Sequence, residues 1–175
     1  MKAPTLQIDR VRLEEIELLF QLTVDTFRET FEKQNSIANL QAYIKDQLNP
    51  KQLLTELKNP DSFFYFARHK EEIVGYLKLN FNQAQKEAVL EGKAFEIERI
   101  YIRQTHQRKG WGSQLFDKAI ELGKEKGYTQ LWLGVWEHNE KALAFYKRKG
   151  GLPFGSHLFQ LGEDPQKDIL MQFNI

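Results

Sequence analysis

Apolar positions along this chain change their period several times, and each change marks an element. Thr5 to Arg10 reads as a short first strand. Ile16, Leu19, Phe20, Thr23, Phe27 and Phe31 then trace one face of a long helix. Ser36 to Leu48 reads as a second helix that Ser36 can cap. Lys51 to Leu57, after Pro50, reads as a short third one ended by Asn59-Pro60-Asp61. Ser62 to Arg68 is an aromatic-rich strand, His69 to Glu72 the turn of a hairpin, and Ile73 to Phe81, with Gly75 inside it, the partner strand. Residues 82 to 92 are polar and read as a loop.

The second half alternates strands with helices. Ile97 to Ile102 is β-branched and aromatic, short enough for a buried strand. Gln107 to Gly112 is a glycine-bearing loop. Trp111, Leu115, Phe116, Ala119, Ile120 and Gly123 then recur at helical spacing, in a helix that reaches about Lys126 and ends on Gly127. Gln130 to Val135 is another apolar strand, and Asn139 to Lys149 a helix with Ala142, Phe145, Tyr146 and Lys149 on one side. Pro153 to Gln160 and Ile169 to Phe173 read as two closing strands joined through Gly162-Glu163-Asp164-Pro165. No linker or repeat interrupts this order. The expectation is one mixed α/β (α+β) domain over residues 1–175, with a sheet that is antiparallel at first.

Composition narrows the chemistry. Thirteen Phe, six Tyr and three Trp in 175 residues supply a sizeable core. A net charge of +1 gives no global field to recruit nucleic acid or a membrane surface. The absence of cysteine excludes disulfides, Cys-ligated metal and a thiol nucleophile, and the four histidines lack ligand spacing, so no metal is expected. The opening Met1-Lys2-Ala3-Pro4 is not followed by an apolar signal region, and no apolar run approaches membrane-spanning length. The expected location is the cytoplasm.

The strand, the loop and the helix start between Glu98 and Gly112 together form an anion site. First-turn N–H groups lack acceptors, the helix dipole is positive there, and glycines admit a phosphate close to the backbone. The spacing is neither a P-loop nor a dinucleotide fingerprint. Gln107-x-x-Gly110-x-Gly112 instead resembles the [RQ]-x-x-G-x-[GA] signature of the GNAT N-acetyltransferases. Asn139 to Gly150, an N-x-x-A-x-x-F-Y-x-x-x-G segment, is similar to a second stretch of that family, in the right order after a strand. The resemblance covers about residues 62 to 160. It implies the GNAT fold, a mostly antiparallel central sheet splayed near the acetyl-CoA site and flanked by helices. One departure is Gly150-Gly151, where the family carries Gly followed by an aromatic.

By resemblance, acetyl-CoA is the co-substrate, held by Ile100, Tyr101, Ile102, Gln107, Arg108, Lys109, Gly110, Trp111, Gly112, Ser113, Asn139 and Lys141. For Asn139 a helix N-cap is the equal alternative, and for Arg108 and Lys109 a solvated surface. An attacking amine must be neutral, and at pH 7 only about one alkylamine in 2,500 is. The resemblance implies Glu98 as the base, against a plain pairing with Arg99 or Arg103, with Glu96 the alternative two residues back. It implies Tyr146 as the acid for the departing thiolate, against a packed aromatic on a helix stripe. His106 and His138 are read as bystanders.

Thr26 to Phe31, with Gly155-Ser156-His157 and Asp168 to Met171, is similar to the bacterial PaiA-type spermidine/spermine acetyltransferases. That implies a small-molecule amine, a polyamine first, held by Phe27, Glu29 and Phe31. Acetylation of a protein, peptide or aminoglycoside amine is the runner-up, and a non-catalytic coenzyme A-binding regulatory protein the alternative of another class. A homodimer is the expected assembly, with no nucleic-acid or membrane partner.

Overall fold

The computed structural model describes residues 4–87 and 90–175. Met1 to Ala3, at the start of the chain, and Ala88 and Val89, in the middle of the expected polar loop, lie outside the described residues. Strands β1 (Gln7–Arg10), β2 (Ser62–His69), β3 (Glu72–Asn80), β4 (Ala94–Ile102), β5 (Gln130–Trp136), β6 (Leu152–Leu161) and β7 (Asp164–Asn174) form one seven-stranded sheet in the order β1-β2-β3-β4-β5-β7-β6. Five helices flank it: α1 (Ile16–Phe31), α2 (Ile37–Gln47), α3 (Pro50–Lys58), α4 (Trp111–Glu125) and α5 (Glu140–Arg148). All neighbours run antiparallel except β4 and β5, which run parallel with α4 as the crossover that parallel strands require. This is the expected GNAT fold.

Local chemistry accounts for the helix starts. Ser36 accepts the Asn39 N–H to cap α2, and Asn49 accepts the Gln52 N–H to cap α3 with Pro50 at its first position. Two boundaries differ by three residues or more from the sequence expectation. β4 begins at Ala94, because Ala94 to Glu96 is the part that pairs with β5. β7 begins at Asp164, because the hairpin turn needs only Gly162 and Glu163, with Gly162 at φ 62°.

The sheet buries both faces. On one, Phe95, Ile97, Ile100 and Ile102 of β4 pack with Trp111, Leu115, Phe116 and Ala119 of α4 and Tyr146 of α5. On the other, Tyr76 and Tyr101 pack with Leu19 and Leu22 of α1 and Leu53 and Leu57 of α3. A third, aromatic cluster of Phe27, Phe31, Tyr43, Trp136 and Phe159 docks α1 and α2 on the ends of β5 and β6.

Two irregularities of β4 shape the centre. The β3–β4 register runs Lys78↔Arg99 and then Leu79↔Ile97, so Glu98 is a bulge residue. Glu98 and Arg99 therefore both point to the α3 face, where simple alternation would separate them. On its other edge, β4 pairs with β5 only through Ala94↔Gln130, Phe95↔Leu131 and Glu96↔Trp132, after which the two strands part. The Arg103 N–H reaches back to Val74 O at 2.9 Å. By the two-residue alternation, the N–H and C=O groups of Ile100 and Ile102 point the other way, into the gap. That gap is the expected splay.

Candidate active site

At one end of the gap stands the start of α4. Its N-cap is Gly110 in the left-handed region (φ 76°), and no side chain caps the helix. The first intrahelical bond in this turn is Gln114 N–H to Gly110 O at 3.3 Å, so the N–H groups of Trp111, Gly112 and Ser113 are left for another acceptor. A Cβ built on Gly112 meets nothing within 4 Å. Orphan donors at a positive helix end, facing open space, fit the diphosphate of coenzyme A. Arg108 is also left-handed (φ 63°), a turn of the kind that makes an anion-binding concavity, and both Arg108 and Lys109 are exposed. Gln107 Nε2 donates to Ile102 O at 3.1 Å, which ties the loop to the end of β4.

The remaining expected contacts are placed as follows. Trp111 is buried, donates its indole N–H to Pro4 O at 2.9 Å and packs against His69 and His106, with Lys109 Nζ of the loop 4.9 Å above its ring. His106 also pairs with Glu72, and His138 packs edge-on against Trp136. Ser113 Oγ lies 3.4 Å from Asp117 Oδ2. Asn139 Oδ1 accepts the Ala142 N–H at 3.2 Å, so it is the α5 cap, and Lys141 is exposed beside it. Ile100 and Ile102 bring backbone to the gap and side chains to the α4 face, while the Tyr101 ring stacks on Tyr76 on the α3 face.

Tyr146 stands on the α4 side among Phe116, Phe145 and Phe173, with ring centroids at 5.9, 5.1 and 6.2 Å. Burial pushes its phenol well above the usual range, so it stays protonated. The hydroxyl has no hydrogen-bond partner among the described residues and is not one of the polar atoms sealed from solvent. The departure from the family pattern at Gly150-Gly151 meets a physical answer here. A Cβ on Gly151 would lie 2.7 Å from Phe173 Cζ and 2.9 Å from Tyr146 O. The ring of Phe173, from β7, fills that place instead.

The α3 face of the gap is polar and charged. Lys78, only 2% exposed, lies between Glu56 Oε2 at 3.0 Å and Glu98 Oε2 at 2.5 Å. Arg99 grips Glu56 with two N–H groups at 3.1 and 3.4 Å and reaches Glu98 Oε1 at 3.4 Å. Asn80 Nδ2 donates to both Glu98 Oε2 and Glu96 Oε2, at 2.5 and 3.0 Å. Burial raises Glu98, but the charges of Arg99 and Lys78 and the hydrogen bonds from Lys78 and Asn80 outweigh it and hold the carboxyl at about 2. Glu96 goes the other way, pushed up to about 7 by burial first and by the charge of Glu98 next. Two carboxylates on one strand face are thus held in opposite protonation regimes.

Across the gap, Gly134 of β5 is exposed, and a Cβ there would come within 3.1 Å of Asp168 Oδ2. Asp168 pairs in register with His157, whose Nε2 lies 3.1 Å from Asp168 Oδ2. His157 Nδ1 is 2.7 Å from Glu87 Oε1 but off the line of a hydrogen bond. The hydrogen bond with Asp168, then the charge of Glu87, raise this imidazole above its ordinary value.

The three residues expected to hold the acceptor are placed less openly. Phe27 and Phe31 are buried, Phe27 stacked on Tyr43 at 4.7 Å and Phe31 against Trp136 at 4.9 Å. Glu29 accepts the Gln104 N–H at 2.7 Å, fixing the turn after β4. Sequence reasoning missed Ser62, Glu56, Lys78 and Asn80. Lys78 and Asn80 alternate with Leu77, Leu79 and Phe81, a pattern that reads equally as the solvated face of a strand. Among the described residues no group of three or more His, Asp or Glu could hold a metal, and no helix is long and apolar enough to cross a membrane.

A split parallel pair, an uncapped helix start beside it, a neutral phenol on one face and titratable carboxylates on the other define a transferase that moves an acyl group from a phosphate-bearing carrier. The Acetyltransferase (GNAT) family matches residues 16–151, and the chain belongs to that family of N-acetyltransferases. It is 41% identical over 166 residues, 95% of each chain, to an uncharacterized N-acetyltransferase in the pepI 3' region of Lactobacillus delbrueckii subsp. lactis. It is 23% identical over 172 residues, 96% of each chain, to the spermidine N(1)-acetyltransferase of Thermoplasma acidophilum. The fold is similar to the crystal structure of the PaiA N-acetyltransferase from Thermoplasma acidophilum in complex with coenzyme A, with TM-score 0.78, 19% identity and coverage of 98% of this chain and 99% of that one.

Proposed function

We propose that this enzyme acetylates the primary amine of a small polycation, spermidine or spermine first, with acetyl-CoA as donor. The observation that carries the proposal is the charge around the gap. Among the described residues, Glu56, Glu87, Glu96, Glu98 and Asp168 are met there by Lys78, Arg99 and His157. An excess of carboxylates attracts and holds an amine that arrives as a cation. The similarity to a spermidine N(1)-acetyltransferase supports the same acceptor.

The geometry supports the following division of work. Acetyl-CoA, when bound, supplies the activated acetyl group. The N–H groups of Trp111, Gly112 and Ser113 hold its diphosphate, with Arg108 and Lys109 adding charge. The backbone of Ile100, open to the gap, offers an N–H to the acyl oxygen as negative charge grows there. Glu96 takes the proton that the ammonium must lose. A carboxyl near 7 suits that task at neutral pH, whereas one held at about 2 has little affinity for a proton. Glu98 keeps its negative charge beside it. Tyr146 donates its phenolic hydrogen to the departing sulfur.

The test is an acceptor screen scored by free thiol released from acetyl-CoA. Spermidine and spermine should exceed lysine peptides and simple monoamines in kcat/KM by about tenfold or more, since a second cation meets the same carboxylates. Equal rates with monoamines would remove the polycation reading. Saturable coenzyme binding with no release by any amine would replace the enzyme with a coenzyme A-binding regulator.

A further inference from the structure

Ser62, Asn80 and Glu96 stand side by side across three strands, in the registers Ser62↔Asn80 and Asn80↔Glu96. Both Ser62 and Asn80 are closed from solvent, at 2% and 1% exposure. Their hydrogen bonds form a one-way chain. Ser62 Oγ donates to Asn80 Oδ1 at 2.6 Å, and Asn80 Nδ2 donates onward to Glu96 and Glu98. An ionised carboxylate can only accept, so Glu98 dictates which end of the amide faces the pair. The serine hydroxyl then satisfies the amide oxygen that is left. The bulge at Glu98 is what brings the second carboxylate within reach of the same nitrogen.

We propose that Asn80, locked by Ser62, is a positioning residue that ties Glu96 and Glu98 into an unequal pair, leaving Glu96 as the member that exchanges a proton with the acceptor. The idea rests on the acetyltransferase reading above and adds a residue that is closed from solvent and carries no charge. The inequality comes from what else each acid meets. Glu98 has Lys78 of β3 and Arg99 of β4, which Glu56 of α3 shares. Glu96 has the repulsion of Glu98, the amide, a pull from Lys78 and the lesser repulsion of Glu87. His157 of β6 and Asp168 of β7 stand beyond Glu87, and the Tyr43 phenol of α2 feels the charges of Arg99 and Glu98. Among the described residues, Asn80 is the one neutral donor common to both acids. Without it, Glu96 would lose the hydrogen bond that stabilises its charged form and would hold its proton to higher pH.

The experiment is a carbon-13 carboxyl titration of glutamate-labelled protein, with Glu96→Gln used to assign the resonance, run beside the pH profile of kcat/KM for spermidine. Asn80→Ala should move the Glu96 titration upward by about one pH unit, and the acid limb of kcat/KM should move with it while acetyl-CoA affinity holds. Ser62→Ala, the milder change, should move both in the same direction by less. A merely structural Asn80 would lower melting temperature and leave the titration in place, and that result overturns the proposal. An acid limb that persists unchanged in Glu96→Gln would strike down the assignment of Glu96 itself, and the proposal with it. A limb lost in Glu96→Gln but unmoved in Asn80→Ala keeps the base and discards the positioning role. The carboxyl titration needs no turnover, so it decides even if no tested amine is acetylated.

Discussion

Phe173 of β7 occupies the space that a side chain on Gly151 would need, its Cζ 2.7 Å from where that Cβ would be. The ring also lies 5.0 Å from Phe116 and 6.2 Å from Tyr146, so it forms one wall of the phenol's setting. Gly151→Phe would have to drive that wall outward. Overpacking of this kind costs about 1–3 kcal/mol, which in a chain of this size lowers Tm by roughly 2–10 °C. Thermal unfolding followed by circular dichroism checks it. An unchanged Tm would mean that the ring moves aside freely.

Tyr146→Phe removes one oxygen atom that has no partner among the described residues. Stability should hold, while kcat falls by about 100-fold and acetyl-CoA affinity stays put, because in the proposed mechanism the hydroxyl acts only as the sulfur departs. Stopped-flow turnover together with calorimetric binding separates the two quantities. Unaltered kcat would take Tyr146 out of the chemistry.

Gly112→Glu keeps the fold, because a Cβ there meets nothing within 4 Å and an acid in the first turn of a helix is favourable. It also fills the space before the orphan N–H groups with bulk and negative charge. Acetyl-CoA binding by calorimetry should weaken by about 100-fold or more. Retained affinity would show that the diphosphate lies elsewhere.

The paired carboxylates should pull stability in opposite directions with pH. Glu96 holds its proton to about 7 when folded, against 4.5 as the ordinary value, so folding takes up a proton between those pH values. Its contribution therefore falls as pH rises from 4.5 to 7 and is level above that. Glu96→Gln should leave stability unchanged near pH 4.5 and raise it at pH 8, by at most about 3 kcal/mol, while costing activity. Glu98, held at about 2, contributes stability that is full above 4.5 and is lost as pH falls toward 2. Glu98→Gln should therefore be less stable than the parent at pH 7. Urea unfolding at pH 4.5, 7 and 8 reads both signs. A Glu96→Gln protein no firmer at pH 8 than the parent would contradict the account.

Much of this architecture was legible from one chain. Stripes at helical spacing marked α1, α4 and α5, and Ser36 marked the start of α2, because those signals are local. The loop from Gln107 to Gly112 was legible for the same reason, since a helix start and its glycines lie within six residues. The charged side of the gap was not. Glu98 and Glu96 could be placed on one face by alternation, but the bulge that adds Arg99 to that face depends on pairing with β3. Lys78, Asn80 and Ser62 carry the same residue types as any exposed strand face. Only the packing of α3 over them, with Glu56 pointing down, turns them into a buried network. Phe27 and Phe31 illustrate the reverse difficulty. Aromatics beside acids suggest a cation pocket, yet the same rings serve to seat α2 against β5 and β6.

The short run of pairing between β4 and β5 has one more consequence. Hydrogen-bonded strands lie about 4.8 Å apart, a spacing that admits nothing between them. Each further rung beyond Glu96 and Trp132 would draw Ile100 and Val135 toward that distance. The place where the ladder stops is therefore a calliper: in the proposed mechanism the width available to a thioester is set by a count of backbone rungs, and no side-chain substitution along the walls can restore it once another rung closes.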